Sequence, residues 1–301
     1  MLQTPILLLV FNRPEPALQV LEQIRIQQPR QLFIAADGPR VSRAGEAALC
    51  KQTREALLEG IDWPCEVRTL FREENLGCGR AVSGAIGWFF EQVDEGIILE
   101  DDCIPDPTFF HYCAYLLAYY RDHEQVMHIG GSNFQQGKVR GAGSYYFSRY
   151  SHVWGWATWR RAWKNYDYTL DIYREAPLTD LNPSLRGALR AIYHQRIDTW
   201  DIQWFMSVWF SGGWAITPNV SLIRNVGYGT GATHTRRVPG WFRKIRYGSL
   251  PLLTHPEVFA IDVVADHFTA NTLFNDSKWS VKIKEIIRQH DFLYQLYRRI
   301  S

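Results

Sequence analysis

Residues 96–110 read GIILEDDCIPDPTFF, an aliphatic run that ends in three adjacent carboxylates, Glu100, Asp101 and Asp102. The run has the length and composition of a buried strand, and Asp106 followed by Pro107 is a helix start, with aspartate capping and proline in the first turn. The first 130 residues repeat the pattern. Strand-like runs occur at PILLLVF (5–11), QLFIAA (31–36), CEVRTLF (65–71), GIILE (96–100) and VMHIGG (126–131), with helical periodicity over 15–27, 43–59, 79–92 and 107–121 between them. Strands alternating with helices predict an α/β fold, a mostly parallel, Rossmann-like central sheet with helices on both faces. In such sheets ligands sit beyond the carboxyl ends of the strands. The stretches there are FNRP (11–14), ADGPR (36–40), NLGCGRA (75–81) and EDDC (100–103).

Length and composition bound the rest. The 301 residues are 46% hydrophobic, enough to bury a substantial core. A net charge of +2 gives no field that would attract nucleic acid. Twelve Trp and fifteen Tyr supply flat faces suited to sugars and bases, although most belong to a core. Five scattered cysteines (Cys50, Cys65, Cys78, Cys103, Cys113) without a C-x-x-C pair predict free thiols and a reducing, cytoplasmic setting. The apolar start, MLQTPILLLVFNRP, lacks a basic flank and a small-residue cleavage site and reads as the first strand. We expect one domain over 1–301: a nucleotide half (1–130), a smaller acceptor half with a lid (131–275), and a C-terminal helix (276–301).

Three carboxylates at a strand end repel one another unless a cation or hydrogen-bond donors offset them. Carboxylate oxygens suit Mg²⁺ and Mn²⁺, which bind few protein groups and leave room for phosphate oxygens. The glycines of NLGCGRA do not make the dinucleotide fingerprint, because Val82 stands where the third glycine belongs and the segment follows the third strand. They still open a helix whose amides could meet a phosphate or sugar, with Arg80 adding charge; a helix entry without a ligand is the plain alternative.

The segment NLGCGRAVSGAIGWFFEQVDEGIILEDDCIPDPTFFHYC (75–113) resembles the core of the GT-A fold glycosyltransferases, most closely the animal N-acetylglucosaminyltransferase I group. A leucine-glycine helix, an aliphatic strand, Glu-Asp-Asp and a Pro-Asp-Phe-Phe helix follow in the same order there. FNRP and ADGPR look like the uracil-binding strand ends, and HVWGWATWRRAW (152–163) resembles the segment that floors the acceptor site. The resemblance implies transfer of a sugar from a nucleotide diphosphate donor, such as a UDP-sugar, with a divalent metal, Mn²⁺ or Mg²⁺. It assigns Asp102 as metal ligand, Glu100 and Asp101 to donor sugar and ribose, and Arg13 and Asp37 to uracil. Asp201, in DTWDIQWFMSVWF (198–210), resembles the family's catalytic base in an inverting reaction, with Asp198 as the fallback; the structural alternative makes Asp198 the helix N-cap and Asp201 a first-turn acid. His234, in the glycine-rich NVGYGTGATHT (225–235), is a looser candidate for a metal or diphosphate contact on a lid.

The implied partners are a nucleotide-sugar donor and a glycan or lipid-linked acceptor. GWFRKIRYG (240–248) and the basic tail (278–301) could rest on the inner face of a membrane, though a solvated face and a packed helix explain them as well. The absence of an anchor, unlike the animal enzymes, points to a bacterial role in surface glycan assembly. A metal-dependent phosphohydrolase would use the same carboxylates, a sugar-binding module would explain the aromatics, and a sugar-nucleotide nucleotidyltransferase would share the sheet.

Overall fold

The aliphatic runs of the first half become neighbouring strands of one sheet in the computed structural model, which describes residues 1–228 and 238–274. Strands β1 (Ile6–Val10), β2 (Gln31–Ala36), β3 (Glu66–Phe71) and β4 (Glu95–Glu100) alternate with helices α1 (Pro14–Gln27), α2 (Glu46–Glu59) and α3 (Gly77–Gln92). A short β5 (Cys103–Pro105) follows the carboxylates and leads into α4 (Pro107–Tyr119) and β6 (Val126–Gly130). The Asp106 carboxylate caps α4 by accepting from the Thr108 amide at 2.9 Å. Next come β7 (Tyr145–Ser148), β8 (Trp156–Trp159), α5 (Arg160–Trp163), α6 (Pro183–Tyr193), α7 (Asp201–Phe210), β9 (Trp214–Pro218), β10 (Ile223–Asn225) and α8 (Val263–Leu273).

Among the described residues the sheet has eight strands, in the order β3-β2-β1-β4-β8-β6-β9-β7. β1 to β4 run parallel, β8 lies antiparallel to both β4 and β6, β9 is parallel to β6, and β7 is antiparallel to β9. Six strands therefore share one direction. The second half, which carries no clear βα rhythm, completes this sheet rather than forming a separate region. Its central strand, WATW, is only four residues long, too short for a period-two pattern to declare itself.

Alternation sorts the side chains to two faces. Ile6, Leu8 and Val10 of β1 pack with Ala17, Val20 and Ile24 of α1 and with Phe109, Phe110 and Leu116 of α4. Leu7 and Leu9 face the other way, onto Ile86 and Phe89 of α3 and Trp204 of α7. Burial on both faces explains why these strands read as unbroken apolar runs. A third cluster joins α6 to the far side of α7 through Leu185, Leu189, Phe205 and Trp209. The five cysteines are unpaired. No helix among the described residues is long and apolar enough to cross a membrane. Trp241 and Phe242, from the basic aromatic stretch, pack against Trp154 and Tyr228.

The register levels the strand ends. Leu9 pairs with both Ala35 and Glu100, and Ala36 pairs with both Val10 and Phe71. The segments that follow β1, β2, β3 and β4 thus emerge along one edge. At that edge Gly155 enters β8 with φ +56°, and a Cβ there would stand 2.3 Å from Ile223, so a side chain is excluded by both conformation and space.

Candidate functional site

The level strand ends bring Arg13, Asp37, Glu100, Asp101 and Asp102 to one edge of the sheet, and the N-terminus of α7 adds Asp201. Asp101 is 3% exposed; its Oδ2 accepts from the Phe11 amide at 3.3 Å and its Oδ1 pairs with the Arg13 guanidinium. The same Arg13 nitrogen lies 3.0 Å from Asp102 Oδ2. Arg13 is thus the shared counter-charge of the two aspartates. Burial alone would make it easier to deprotonate, but the two carboxylates outweigh burial and raise its pKa.

One guanidinium does not balance the cluster. Burial pushes Glu100 well above the usual carboxylate range, reinforced by Asp102, Asp101 and Asp201. Burial also pushes Asp101 up to about 6, against the opposing pull of Arg13. Such an edge favours added positive charge. Arg13→Met, which keeps the stem but removes the charge, is expected to destabilise the fold by about 3 kcal/mol, because it strands a buried carboxylate. Urea unfolding at neutral pH checks this, and a loss below about 1 kcal/mol would show that the pair is not the counter-charge described.

Asp102 is walled in by the two-stranded ribbon of β5 and β10, in which Cys103 pairs with Asn225. Its carbonyl accepts from the Val226 amide at 2.8 Å, and the Cys103 thiol donates to its Oδ1 at 3.5 Å. A Cβ on Gly227 would fall 2.1 Å from Asp102 Oδ2, so only glycine lets the chain pass the carboxylate. Tyr228, packed on Phe242 with ring centroids 4.4 Å apart, has its hydroxyl pushed up to about 12 by burial and then by Asp102. The apolar Leu222–Ile223 pair is too short to mark this ribbon in the sequence. His234 lies outside the described residues.

The start of α3 differs from a phosphate cradle. Asp37 accepts from the amides of Leu76 at 3.0 Å and Gly77 at 3.1 Å and from the Asn75 side chain at 2.9 Å. Asp198 accepts from the amides of Cys78 at 2.9 Å and Gly79 at 2.8 Å. The four amides at the helix entry are therefore taken by two carboxylates of the chain itself, a charge-favourable arrangement at a helix N-terminus. The glycines make room for them: Gly77 has φ +81°, and a Cβ would stand 2.5 Å from the Asp198 carboxylate at Gly77 and 2.6 Å at Gly79. Asp37 and Arg13 are both engaged within the protein, and with different partners.

Asp198 is not the N-cap of α7; that position is Trp200, and no side chain caps the helix. Asp198 clamps α3 instead, which leaves Asp201 as the acid of the segment that faces the cluster. Thr199 Oγ1 donates to Asp201 Oδ1. Between the groups sits Cys78, whose thiol is pushed up to about 12 by burial and then by Glu100, Asp201, Asp198 and Asp37. Arg80, by contrast, turns its guanidinium over the Tyr168 ring at 5.1 Å and lines a separate cavity. The segment HVWGWATWRRAW supplies Trp154 to the aromatic packing around Tyr228, but its Trp156–Trp159 portion is buried in mid-sheet.

Among the described residues no three acidic, imidazole or thiol groups converge into a preformed metal cage. Mg²⁺ and Mn²⁺ do not require one, since one or two carboxylates with substrate phosphates and water suffice. Hard oxygen donors at an under-neutralised edge fit such an ion.

Fold and site together define an α/β protein whose mostly parallel sheet gathers acidic side chains at its carboxyl edge. No protein-family model matches the chain, and no curated protein matches it. Among solved structures, the crystal structure of HddC from Yersinia pseudotuberculosis is similar over 53% of this chain and 78% of its own, at 11% identity and a TM-score of 0.31. A likeness at that level carries no argument about fold or activity.

Proposed function

We propose that the protein is a metal-dependent inverting glycosyltransferase of GT-A architecture, moving a sugar from a nucleotide diphosphate donor, a UDP-sugar such as UDP-GlcNAc, to a hydroxyl of a glycan or lipid-linked acceptor. The observation that carries the reading is the convergence of Glu100, Asp101, Asp102 and Asp201 on one strand-end edge with Arg13 as counter-charge. The resemblance of residues 75–113 to the N-acetylglucosaminyltransferase I group supports it. In this reading Asp102 holds the divalent ion, which when bound offsets charge on the leaving diphosphate. Glu100 and Asp101 face donor sugar and ribose, and the nucleotide lies over the ends of β1 and β2 near Arg13 and Asp37. Asp201 accepts the acceptor's hydroxyl proton as that oxygen bonds to the anomeric carbon and the bond to the diphosphate breaks. The aromatic packing of Trp154, Tyr228 and Phe242 supplies a wall that limits water beside Asp102.

The test is calorimetric titration of uridine diphosphate with and without Mn²⁺, on the intact protein and on Asp102→Asn. Metal-dependent binding that weakens at least about tenfold in the variant is expected, the minimum for losing a charge-assisted contact. A folded wild-type protein that binds no nucleotide diphosphate under either condition would remove the reading. Donor hydrolysis indifferent to any acceptor would turn it toward a phosphohydrolase.

A further inference from the structure

Beside the acidic edge lies a second concavity of about 420 Å³, lined among others by Arg80, Tyr168, Tyr193, Arg196, Asp198 and Gln203. Its volume is in the range of small-molecule sites, roughly 300–1,000 Å³. None of Glu100, Asp101, Asp102 and Asp201 lines it. It is nevertheless built on the same short segment, because Asp198 and Gln203 flank Asp201 in the chain.

The lining carries three arginines, Arg80, Arg174 and Arg196, against two aspartates, Asp171 and Asp198. Of its two acidic lining residues, Asp198 is committed to the α3 amides and Asp171 is ion-paired with Arg174. Arg174 in turn lies over the Tyr193 ring at 4.5 Å. Arg80 forms no ion pair with any described carboxylate and rests on the face of Tyr168. That leaves an exposed cation, pre-positioned by an aromatic ring, with a planar fork suited to an anionic oxygen pair.

Gln203 lines the same cavity. It is 2% exposed. Its Nε2 donates to the Thr199 carbonyl at 2.8 Å, which fixes the orientation of the amide. Its Oε1 is buried without a hydrogen-bond partner among the described residues. Buried acceptors are rarely left unpaired, and one lining a cavity calls for a donor from whatever occupies it. Tyr168 and Tyr193 add aromatic surface to the lining, each with an arginine over its ring.

We propose that this cavity is an acceptor subsite for an acidic carbohydrate, with a sugar hydroxyl donating to Gln203 Oε1 and a carboxylate or phosphate of the glycan paired with Arg80. The assignment rests on the transferase reading for the word acceptor. It also accounts for Arg80, which the fold directs into this cavity, as an acceptor contact instead of a donor contact.

Saturation-transfer NMR titrations of the full chain with methyl glucuronide, glucose 6-phosphate and methyl glucoside test it. One or both acidic sugars are expected to bind about tenfold more tightly than the neutral glucoside, the worth of one charge-assisted contact. Preference for the glucuronide identifies a carboxylate acceptor, and preference for the sugar phosphate a phosphorylated one. Arg80→Gln, a surface change, is expected to abolish the preference while leaving neutral sugar binding in place. Gln203→Met is expected to weaken all three sugars. Equal affinity for the three sugars, no binding of any, or a preference that survives Arg80→Gln would overturn the subsite, as would loss of uridine diphosphate binding in Arg80→Gln. Uridine diphosphate binding without acidic-sugar preference would sink the subsite and spare the donor site. Arg80-dependent sugar binding in a protein that binds no nucleotide would overturn the transferase reading alone.

Discussion

Asp201→Asn is expected to lower the turnover number of sugar transfer about a thousandfold while leaving the affinity for uridine diphosphate and metal within about threefold of the wild type. Asp201 opens α7 and lies close enough to the carboxylate cluster to help raise the pKa of Glu100. A hydroxyl from Thr199 holds its Oδ1, so the group is oriented before any substrate arrives. Asparagine keeps the shape and can still accept from Thr199, but it cannot take a proton. The loss should therefore fall on the chemical step and not on binding. Asp198→Asn makes the contrasting case. Its two carboxylate oxygens each accept from a different α3 amide, and asparagine would set an NH2 donor against one of those amides. That change is expected to lower stability by about 1 kcal/mol and turnover by far less than Asp201→Asn. Steady-state kinetics and urea unfolding on the two variants separate these outcomes. A thousandfold loss in Asp198→Asn with near-normal Asp201→Asn would reverse the assignment of the base.

The contrast also shows which parts of the site were legible in the sequence. Local signals worked where structure is local. The aliphatic runs are strands because both faces are covered, and Asp106-Pro107 starts α4 because capping needs only neighbouring residues. The carboxylates at the end of β4 follow from the rule that places ligand contacts at strand ends. Long-range partnerships were not legible. The amides of α3 and the carboxylate that clamps them are 119 and 120 residues apart, and Arg13 reaches Asp101 across 88. Pattern alone shows that such groups need partners and not which ones they find. The glycines of NLGCGRA illustrate the limit: glycine admits a close approach, but a phosphate and the chain's own Asp198 demand the same absence of a Cβ. The second half was the least legible, since β8 and the β5–β10 ribbon have only three or four residues per strand, and composition does not tell which tryptophans, such as Trp156 and Trp204, are buried core.

That tryptophan core contains a titratable group with a large expected effect on stability. His128 of β6 is fully buried. Its Nδ1 accepts from the Trp204 indole N–H at 3.1 Å, so its Nε2 must carry the proton it donates to the His152 carbonyl at 3.0 Å. Trp156 stacks on the ring at 5.2 Å. Burial, the dominant cause, pushes its pKa down to about 3. A histidine that resists protonation when folded and accepts it near 6.5 when unfolded contributes its full stability above 6.5 and loses it as pH falls toward 3. The slope is about 1.4 kcal/mol per pH unit, so between pH 6.5 and 4.5 this one group is expected to cost the fold about 2 to 3 kcal/mol. Glu100 and Asp101 act in the opposite sense, because their raised values penalise folding at neutral pH and that penalty is relieved on acidification. Wild-type unfolding alone would therefore blur the two contributions. His128→Gln separates them, since glutamine offers Trp204 an acceptor and His152 a donor but does not titrate. Urea unfolding of both proteins at pH 6.5 and 4.5 should show the variant losing about 2 to 3 kcal/mol less than the wild type over that interval. Equal losses would mean that His128 takes up its proton in the folded state without penalty. The consequence reaches the acidic edge, because Trp204 belongs to α7, the helix that begins with Asp201. Protonating His128 removes the acceptor for the Trp204 indole, one of the ties between β6 and the helix that begins with Asp201.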